Sequence, residues 1–437
     1  MRALVRQVAL VVLLFPAIAA GQEPAAGVRV LSLDDALSLA QRNSPANVQA
    51  ENALRVGRAT VGSALAQFLP ALAMSAGASR QGGATFFQGQ LVPYAGDPWS
   101  YGKGYSAQLQ LFDGGERWFA YRNARASQRA NEENAVVQRF ATSFAVKQQY
   151  YAVLAARESE AAAQRQLEQA NEQFTVTSAK VAAGALTRAD SLRSAIAVGT
   201  ARLALMTAQG NLRSANAALT RLVGSDVPVT AQPADTSQVP HIDVDSAALD
   251  RMAVDGPVVR QAAASADASS ASRWAAIAPY LPSLSIGYNF FTYNTSPQFQ
   301  LGGGPVSSNH SLQFSVSYSL FDHYRRELTL VTARAANGNA QATLRDARLA
   351  ARQNLAQYLG AFRTAQETIA LQQLQIAAAE EDVNAQEERY RLGASSLLDL
   401  LTAESALDQA RAALIAARLQ ARTARAQVEG VIGRELP

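Results

Sequence analysis

"RYRLGASSLLDLL" (residues 389–401) and its partial echo "VAAGALTRADSLR" (residues 181–193) decide the fold. In each, a Gly (Gly393, Gly184) is followed six residues later by an Asp (Asp399, Asp190), and both pairs are offset by 209 residues. The same offset relates "LFDGGERW" (111–118) to "LFDHYRRE" (320–327), and "LVGSDVP" (222–228) to "VIGRELP" (431–437). Upstream, "FLPAL" (68–72) answers "YLPSL" (280–284) and Pro45 answers Pro257, now offset by 212. The change in offset falls between residues 72 and 111, where a loop absorbs what a packed helix would not. Self-similarity over this length means one structural unit written twice. The first repeat covers 31–228 and the second 246–437, joined by a Pro-bearing segment at 229–245.

Each copy has the same predicted order. A helix comes first (34–66, then 246–278). A strand, a polar Gly-rich loop and a second strand follow (about 71–79 and 105–112, then about 283–293 and 311–321). A very long helix (116–182, then 325–391) leads to a Gly break and a shorter helix (188–223, then 397–432). The strands carry a period of two. In "SLQFSVSYSLF", Leu312, Phe314, Val316, Tyr318 and Leu320 alternate with Gln313, Ser315, Ser317 and Ser319. "YSAQLQLF" and "SLSIGYNFF" alternate in the same way, and "ALAMSAGAS" does so more weakly. Segments of about 9–11 residues suffice to cross a bilayer when tilted. Alternation of apolar and polar faces is what a water-filled membrane barrel requires.

The helices add a length argument. Each 67-residue helix spans roughly 100 Å, each returning helix roughly 54 Å and each leading helix roughly 50 Å. Two short helices end to end therefore match one long helix. Val198, Leu205, Leu212 and Leu219 recur every seven residues, as do Leu400, Leu407 and Leu414. A seven-residue period implies left-handed supercoiling of packed helices.

Composition narrows the class. Only 17% of the 437 residues are charged, and Ala is abundant, which suits closely packed long helices. A net charge of +4, carried by 36 Arg and 3 Lys, gives no reason to expect a nucleic-acid partner. The start, "MRALVRQVALVVLLFPAIAAGQEP", has two Arg, a short apolar run and a small-x-small site at Ala17–Ala19, the pattern of an exported leader over residues 1–20. The absence of Cys excludes disulfides, thiolate metal ligands and a thiol nucleophile.

Backbone inside a bilayer must be fully paired, so only helices and closed barrels cross it. Four strands cannot close, and an eight-stranded barrel is filled by its own side chains. A polar-lined pore therefore calls for three chains or more, with membrane lipid around them. A periplasmic adaptor or a structural coiled-coil protein is the competing reading; it accounts for the heptads but not for the strands.

With these pieces assembled, the chain resembles the TolC-like outer membrane efflux proteins from "LSLDDALSLAQRNSP" (31–45) to its end. "FLPAL", "LFDGG" and "RYRLGASSLLDLLTAESAL" carry the resemblance. It implies a mainly α chain with a β-barrel portion. Such a chain closes as a homotrimer into a 12-stranded barrel in the outer membrane, continued by an α-helical barrel into the periplasm. It also implies a periplasmic adaptor protein and an inner-membrane RND or ABC pump as partners, and passive conduction rather than catalysis. The Gly breaks become helical turns at the periplasmic tip. The family's constricting residues fall on Asp190, Tyr390 and Asp399, and its adaptor contact on Gly184, Ala185, Leu186 and Thr187 with Gly393, Ala394, Ser395 and Ser396. A carboxylate ring in a narrow pore favours cations. This chain departs from the gate pattern at Ser395, where an Arg is expected, and at Thr402, where a second Asp is expected. Arg188, Arg389 or Arg391 is then the candidate for an interhelix lock.

No cofactor, metal or catalytic residue is expected. His241, His310 and His323 are scattered, and "LGGGP" (301–305) lies between strands rather than opening a helix as a phosphate loop does. The aromatic loop at 86–101 is read as an extracellular cap, with Phe86, Phe87 and Trp99 as contact candidates.

Overall fold

The computed structural model describes residues 28–93, 96, 98–233, 242, 245–299 and 306–436. The leader at 1–20, most of the segment 229–245 with His241, and the 301–305 loop lie outside the described residues. In chain order the elements are β1 (Arg29–Leu31), α1 (Leu33–Asn43), α2 (Pro45–Ala66), β2 (Ala71–Arg80), β3 (Ala84–Phe87), β4 (Gln90–Pro93), β5 (Trp99–Phe112), α3 (Glu116–Ala182) and α4 (Arg188–Val223). The second half supplies β6 (Val229–Ala231), α5 (Ser246–Val254), α6 (Pro257–Ala275), a 3-10 turn (Ala278–Tyr280), β7 (Ser283–Ser296), β8 (Ser307–Ser317), α7 (Arg325–Arg391) and α8 (Leu397–Ile432).

The leading helix of each copy is broken, where the sequence reading ran it through. Pro45 and Pro257 occupy the first helical position of α2 and α6, and Ser44 and Gly256 before them are extended at ψ 126° and 163°. Proline disfavours the helical conformation in the residue that precedes it and has no N–H to give the preceding helix. The last strand also moves, from the expected 311–321 to Ser307–Ser317. Ser317 pairs with Ser283, the first residue of β7, so Tyr318–Phe321 have no ladder to join despite their alternation. Strand β5 starts at Trp99 instead of 105, because Trp99–Gly104 pair with β2 on one side and β7 on the other. Inside the expected loop, β3 and β4 form a small hairpin around Gln88 and Gly89, both at positive φ, and leave Phe86 and Phe87 exposed. Trp99 instead packs edge-on against Phe299 at 4.9 Å.

Four strands form one antiparallel sheet in the order β2–β5–β7–β8. Its register sorts chemistry by face. Ala73, Ser106, Asn289 and Ser311 lie in one row, and Ala71, Gln108, Gly287 and Gln313 in another on the same face. Leu72, Ala107, Tyr288 and Leu312 form a row on the opposite face, beside the row of Met74, Tyr105, Phe290 and His310. Two aromatic residues break the pattern on the polar face, Phe291 and Tyr293; Phe291 lies over Gly102 and Gly104, where an added Cβ would meet its ring at 2.6 and 3.1 Å. Among the described residues, the outer strands β2 and β8 keep unpaired edges, and both are exposed almost throughout.

The "LFD" repeat forms the corner from sheet to helix. Asp113 accepts from the backbone N–H groups of Gly115 and Arg117 and from Arg117 Nε at 2.6 Å. Asp322 likewise accepts from the backbone N–H groups of Arg325 and Arg326, and its carboxylate forms an ion pair with Arg326 Nε at 3.3 Å. A carboxylate there satisfies donors that the first helical turn leaves free.

Below the sheet, α2, α3, α6 and α7 pack side by side in that order; nearer the far end the order is α4, α3, α8, α7. The long helices α3 and α7 belong to both layers. Heptad positions make the seams. In α8, Leu400, Leu407 and Leu414 are buried together with Ala403, Ala410, Ala417 and Ala424, and these small residues let backbones approach. Midway, β1 and β6 pair in parallel and cover a core of Leu31, Ala36, Ala40, Val146, Tyr150, Val153, Leu219 and Val223. The Tyr150 hydroxyl donates to the carbonyls of Leu31 and Gln232 and so ties that pair to α3.

Candidate functional site

The two Gly breaks become near-identical turns. After α3, Gly184 takes φ 75°, its N–H donates to the Val181 carbonyl, and the Ala185 N–H donates to the Lys180 carbonyl at 2.9 Å. After α7, Gly393 takes φ 74°, with Gly393 donating to Tyr390 and Ala394 to Arg389 at 2.8 Å. These paired bonds satisfy carbonyls that a helix end leaves orphaned, and a residue without Cβ takes the left-handed position at no steric cost.

Three residues on, a reciprocal cap starts each returning helix. Thr187 Oγ1 accepts from the Asp190 N–H, while Asp190 Oδ2 accepts from the Thr187 N–H at 3.1 Å. Ser396 Oγ accepts from the Asp399 N–H, and Asp399 Oδ2 accepts from the Ser396 N–H at 3.0 Å. This is a capping box with Asp at its third helical position. Each hydroxyl also donates to the same carboxylate oxygen, at 2.6 Å in the first turn and 2.7 Å in the second. The hydroxyl and backbone bonds hold both carboxyls below their ordinary value of 3.8, so both stay charged at neutral pH.

The remaining sequence candidates have definite places. Tyr390, at the end of α7, presents its ring to Lys180 Nζ at 4.7 Å, so the ends of α7 and α3 meet side by side. Its hydroxyl is buried without a hydrogen-bond partner among the described residues. Ser395 Oγ, where an Arg was expected, donates to Gln386 Oε1 at 3.0 Å and lies 3.4 Å from Asp399 Oδ2. Thr402 donates back to the Leu398 carbonyl of its own helix. Arg391 pairs with Glu388 of its own helix at 2.6 Å and bridges no second helix; Arg193, which the sequence reading did not single out, reaches Asp190 at 3.5 Å. Gly184, Ala185, Thr187, Gly393, Ala394 and Ser396 are exposed, and Leu186 and Ser395 are half-buried.

Two acidic residues escaped the sequence reading. Glu404 and Asp408 lie one turn apart on α8 and are half-buried. Burial raises both carboxyls, and for Glu404 the charges of Asp408 and Glu387 add to the shift; Arg411, itself bonded to Glu380 of α7, partly offsets it at Asp408. Their i,i+4 spacing was visible, but nothing local marks the face that becomes desolvated. A carboxyl raised in the folded state favours folding below its ordinary value of 4.5, and that benefit is lost as pH rises through the folded value. Glu404→Gln therefore raises thermal stability at pH 7 by removing a desolvated charge. The gain shrinks toward zero on acidification, which parallel melting curves at neutral and acidic pH would show.

A sheet with one apolar and one polar face and two open edges, carried on helical hairpins with capped turns at their far end, defines a class of membrane-channel subunit. The comparisons identify which one. The chain belongs to the outer membrane efflux protein family, whose model matches residues 36–225 and again 249–434. The protein accordingly lies in the outer membrane of a Gram-negative cell. It is 28% identical to Protein CyaE of Bordetella pertussis over 406 residues, 91% of this chain and 84% of that protein. Its fold matches a CusC structure with a TM-score of 0.81 at 18% identity, over 95% of this chain and 96% of the other. It matches the Campylobacter jejuni CmeC outer membrane channel at 0.79 and 17% identity, over 96% and 91%. The open state of the Neisseria gonorrhoeae MtrE outer membrane channel matches at 0.77 and 21% identity, over 95% and 94%.

Proposed function

We propose that the protein is the outer-membrane exit duct of a tripartite efflux or type I secretion system, working as a homotrimer. Twelve strands close a barrel in the membrane, and twelve helices continue it through the periplasm. A periplasmic adaptor contacts the turns at Gly184–Thr187 and Gly393–Ser396, and an inner-membrane RND or ABC pump supplies the energy. Asp190, Tyr390 and Asp399 form the constriction at the tip. The duct itself is passive.

The observation that carries this reading is the pair of unpaired edges. Strands β2 and β8 present free N–H and C=O groups that a bilayer does not tolerate, and β2 of one copy can satisfy β8 of the next. The helical layer is open in the same sense. Edge helix α4 exposes Leu192, Ile196, Leu203 and Met206 at heptad-like spacing, and edge helix α7 exposes Leu371 and Leu374. Solvated, such stripes leave contiguous apolar surface uncovered. Exposed, small residues at the two turns suit close contact by an adaptor's helical tips.

A cysteine-free chain makes the test clean. Ser75→Cys on β2 combined with Ser311→Cys on β8, treated with a bismaleimide in outer-membrane fractions, is expected to give a covalent trimer. Recovery of monomers alone, or of dimers as the limiting product, overturns the closed twelve-strand assembly.

A further inference from the structure

We infer that the groove between α3 and α6, just below the membrane sheet, is a binding site for the phosphate headgroup of an anionic phospholipid in the periplasmic leaflet. The inference rests on the reading that the sheet crosses the outer membrane. The groove encloses about 360 Å³. From α3 it is walled by Trp118, Tyr121, Arg122, Arg125 and Arg129, and from α6 by Trp274.

Which face of the helical layer this groove occupies follows from a second cavity. That cavity is lined by side chains from α2, α3, α6 and α7 together, including Glu116, Ala120 and Asn123 of α3. A space reached by all four members of a side-by-side layer lies on its concave side. Trp118, Arg122, Arg125 and Arg129 project from the opposite side of α3, since successive residues turn by 100°. The groove is therefore on the convex side, which faces away from a duct. It also avoids the edges where a second copy would pack, because α3 and α6 are the inner pair of the layer.

Depth and charge select the occupant. Helix α3 begins at Glu116, four residues after β5 ends. At 1.5 Å per residue, Trp118 lies about 3 Å below the helix start, Arg122 about 9 Å and Arg125 about 14 Å. Tryptophan, tyrosine and then arginine is the sequence of side chains that matches the passage from acyl boundary through headgroups to water. Trp118 and Trp274 are 54% and 44% exposed, so both rings are open to a ligand in the groove. Among the described residues, Arg122, Arg125 and Arg129 make no ion pair or hydrogen bond, unlike Arg117, which is held by Asp113. Asp267 is the one carboxylate in the wall, leaving the groove with a net positive charge. Guanidinium groups bind phosphate oxygens in a planar fork, and basic pockets between helices hold anionic headgroups.

The sequence has three Trp, and two of them line the groove, so Trp99→Phe leaves only groove fluorophores. The full-length W99F protein is reconstituted in phosphatidylethanolamine vesicles containing brominated phosphatidylglycerol or, at equal mole fraction, brominated phosphatidylcholine. Quenching by the anionic lipid is expected to exceed that by the zwitterionic lipid about fivefold. Adding Arg122→Gln, Arg125→Gln and Arg129→Gln is expected to abolish the preference, while Arg345→Gln and Arg348→Gln on α7 leave it intact. Equal quenching by the two lipids in W99F overturns the site while leaving membrane insertion standing. Quenching by neither lipid, in protein that floats with the vesicles, overturns it by placing the groove away from the leaflet. Loss of the preference on adding millimolar inorganic phosphate also overturns it, assigning the groove to free anions.

Discussion

Glu429→Ala lowers the stability of the midsection by about 3–5 kcal/mol, the usual cost of removing one partner from a buried ion pair. Glu429 sits on α8 with 8% of its side chain exposed and receives Lys147 Nζ of α3 at 2.6 Å. Its other oxygen faces Arg425 Nε at 3.5 Å and accepts from the Leu436 N–H at 3.3 Å. Arg425 Nη2 in turn donates to the Leu436 carbonyl at 2.6 Å, which folds the chain end back onto the helix. Truncation to Ala leaves Lys147, 15% exposed, without its buried counter-charge. Exposed Glu435 at 3.9 Å from Lys147 is too far out to replace it. Denaturant unfolding in detergent, followed by helical circular dichroism, reads the loss. Glu429→Gln should fall between wild type and Ala, because its amide oxygen keeps an acceptor for Leu436 but no charge for Lys147. A loss below about 1 kcal/mol would mean that Lys147 swings out to water, as surface pairs do. The location gives the effect its meaning: Lys147 belongs to the first repeat and Glu429 to the second, so one carboxylate clamps the two copies together halfway along the helices.

That clamp was invisible in the sequence, and the reason is general to this molecule. Local pattern carried the large elements. The 209-residue offset brackets α3, α4, α7 and α8, because the same breaks at Gly184 and Gly393 end comparable runs twice. Period-two alternation located the four long strands, and only their ends moved, where partner strands stop or continue. Pro45 and Pro257 answer each other across the repeats, and each breaks its leading helix through the residue before it, which the helical pattern alone does not mark. Pairings between distant segments left no local trace. Strands β1 and β6 are three residues each and separated by about 200 positions, so no periodicity announces them. Alternation places Phe291 in the polar set of β7, but only the register shows that it covers Gly102. At the tip, Thr187-x-x-Asp190 and Ser396-x-x-Asp399 carry a capping signature that was legible and unread. The helix order α4, α3, α8, α7, which leaves α4 and α7 at the edges, depends on packing that no single segment encodes.

Asp399→Asn is expected to raise the concentration of a trivalent cation, lanthanum, that half-blocks single channels by about tenfold, the equivalent of about 1.4 kcal/mol in binding. The structure gives Asp399 two separable duties. Its Oδ2 accepts from the Ser396 backbone and hydroxyl, which closes the start of α8, and its charge is retained because those bonds lower its pKa. In the proposed trimer, three such charges face one axis and attract a multivalent cation jointly. An asparagine at the third helical position keeps an oxygen for the Ser396 N–H and loses only the charge. Asp399→Ala loses both, because the Ser396 N–H then has no capping acceptor. If charge produces the block, Asn and Ala relieve it equally, while Ala alone destabilises the turn and alters the lifetime of the closed state. If Asn behaves as wild type and Ala alone changes conduction, Asp399 is a helix cap and the constriction lies elsewhere. The pH dependence supplies a further check. A carboxyl lowered in the folded state keeps its stabilising bonds and its charge above 3.8, and loses them as pH falls through the folded value. Block by lanthanum should accordingly persist unchanged through mildly acidic conditions in the wild type, whereas block that weakens while the pH is still above the ordinary carboxylate range would point instead to carboxyls raised by burial, such as Glu404 and Asp408.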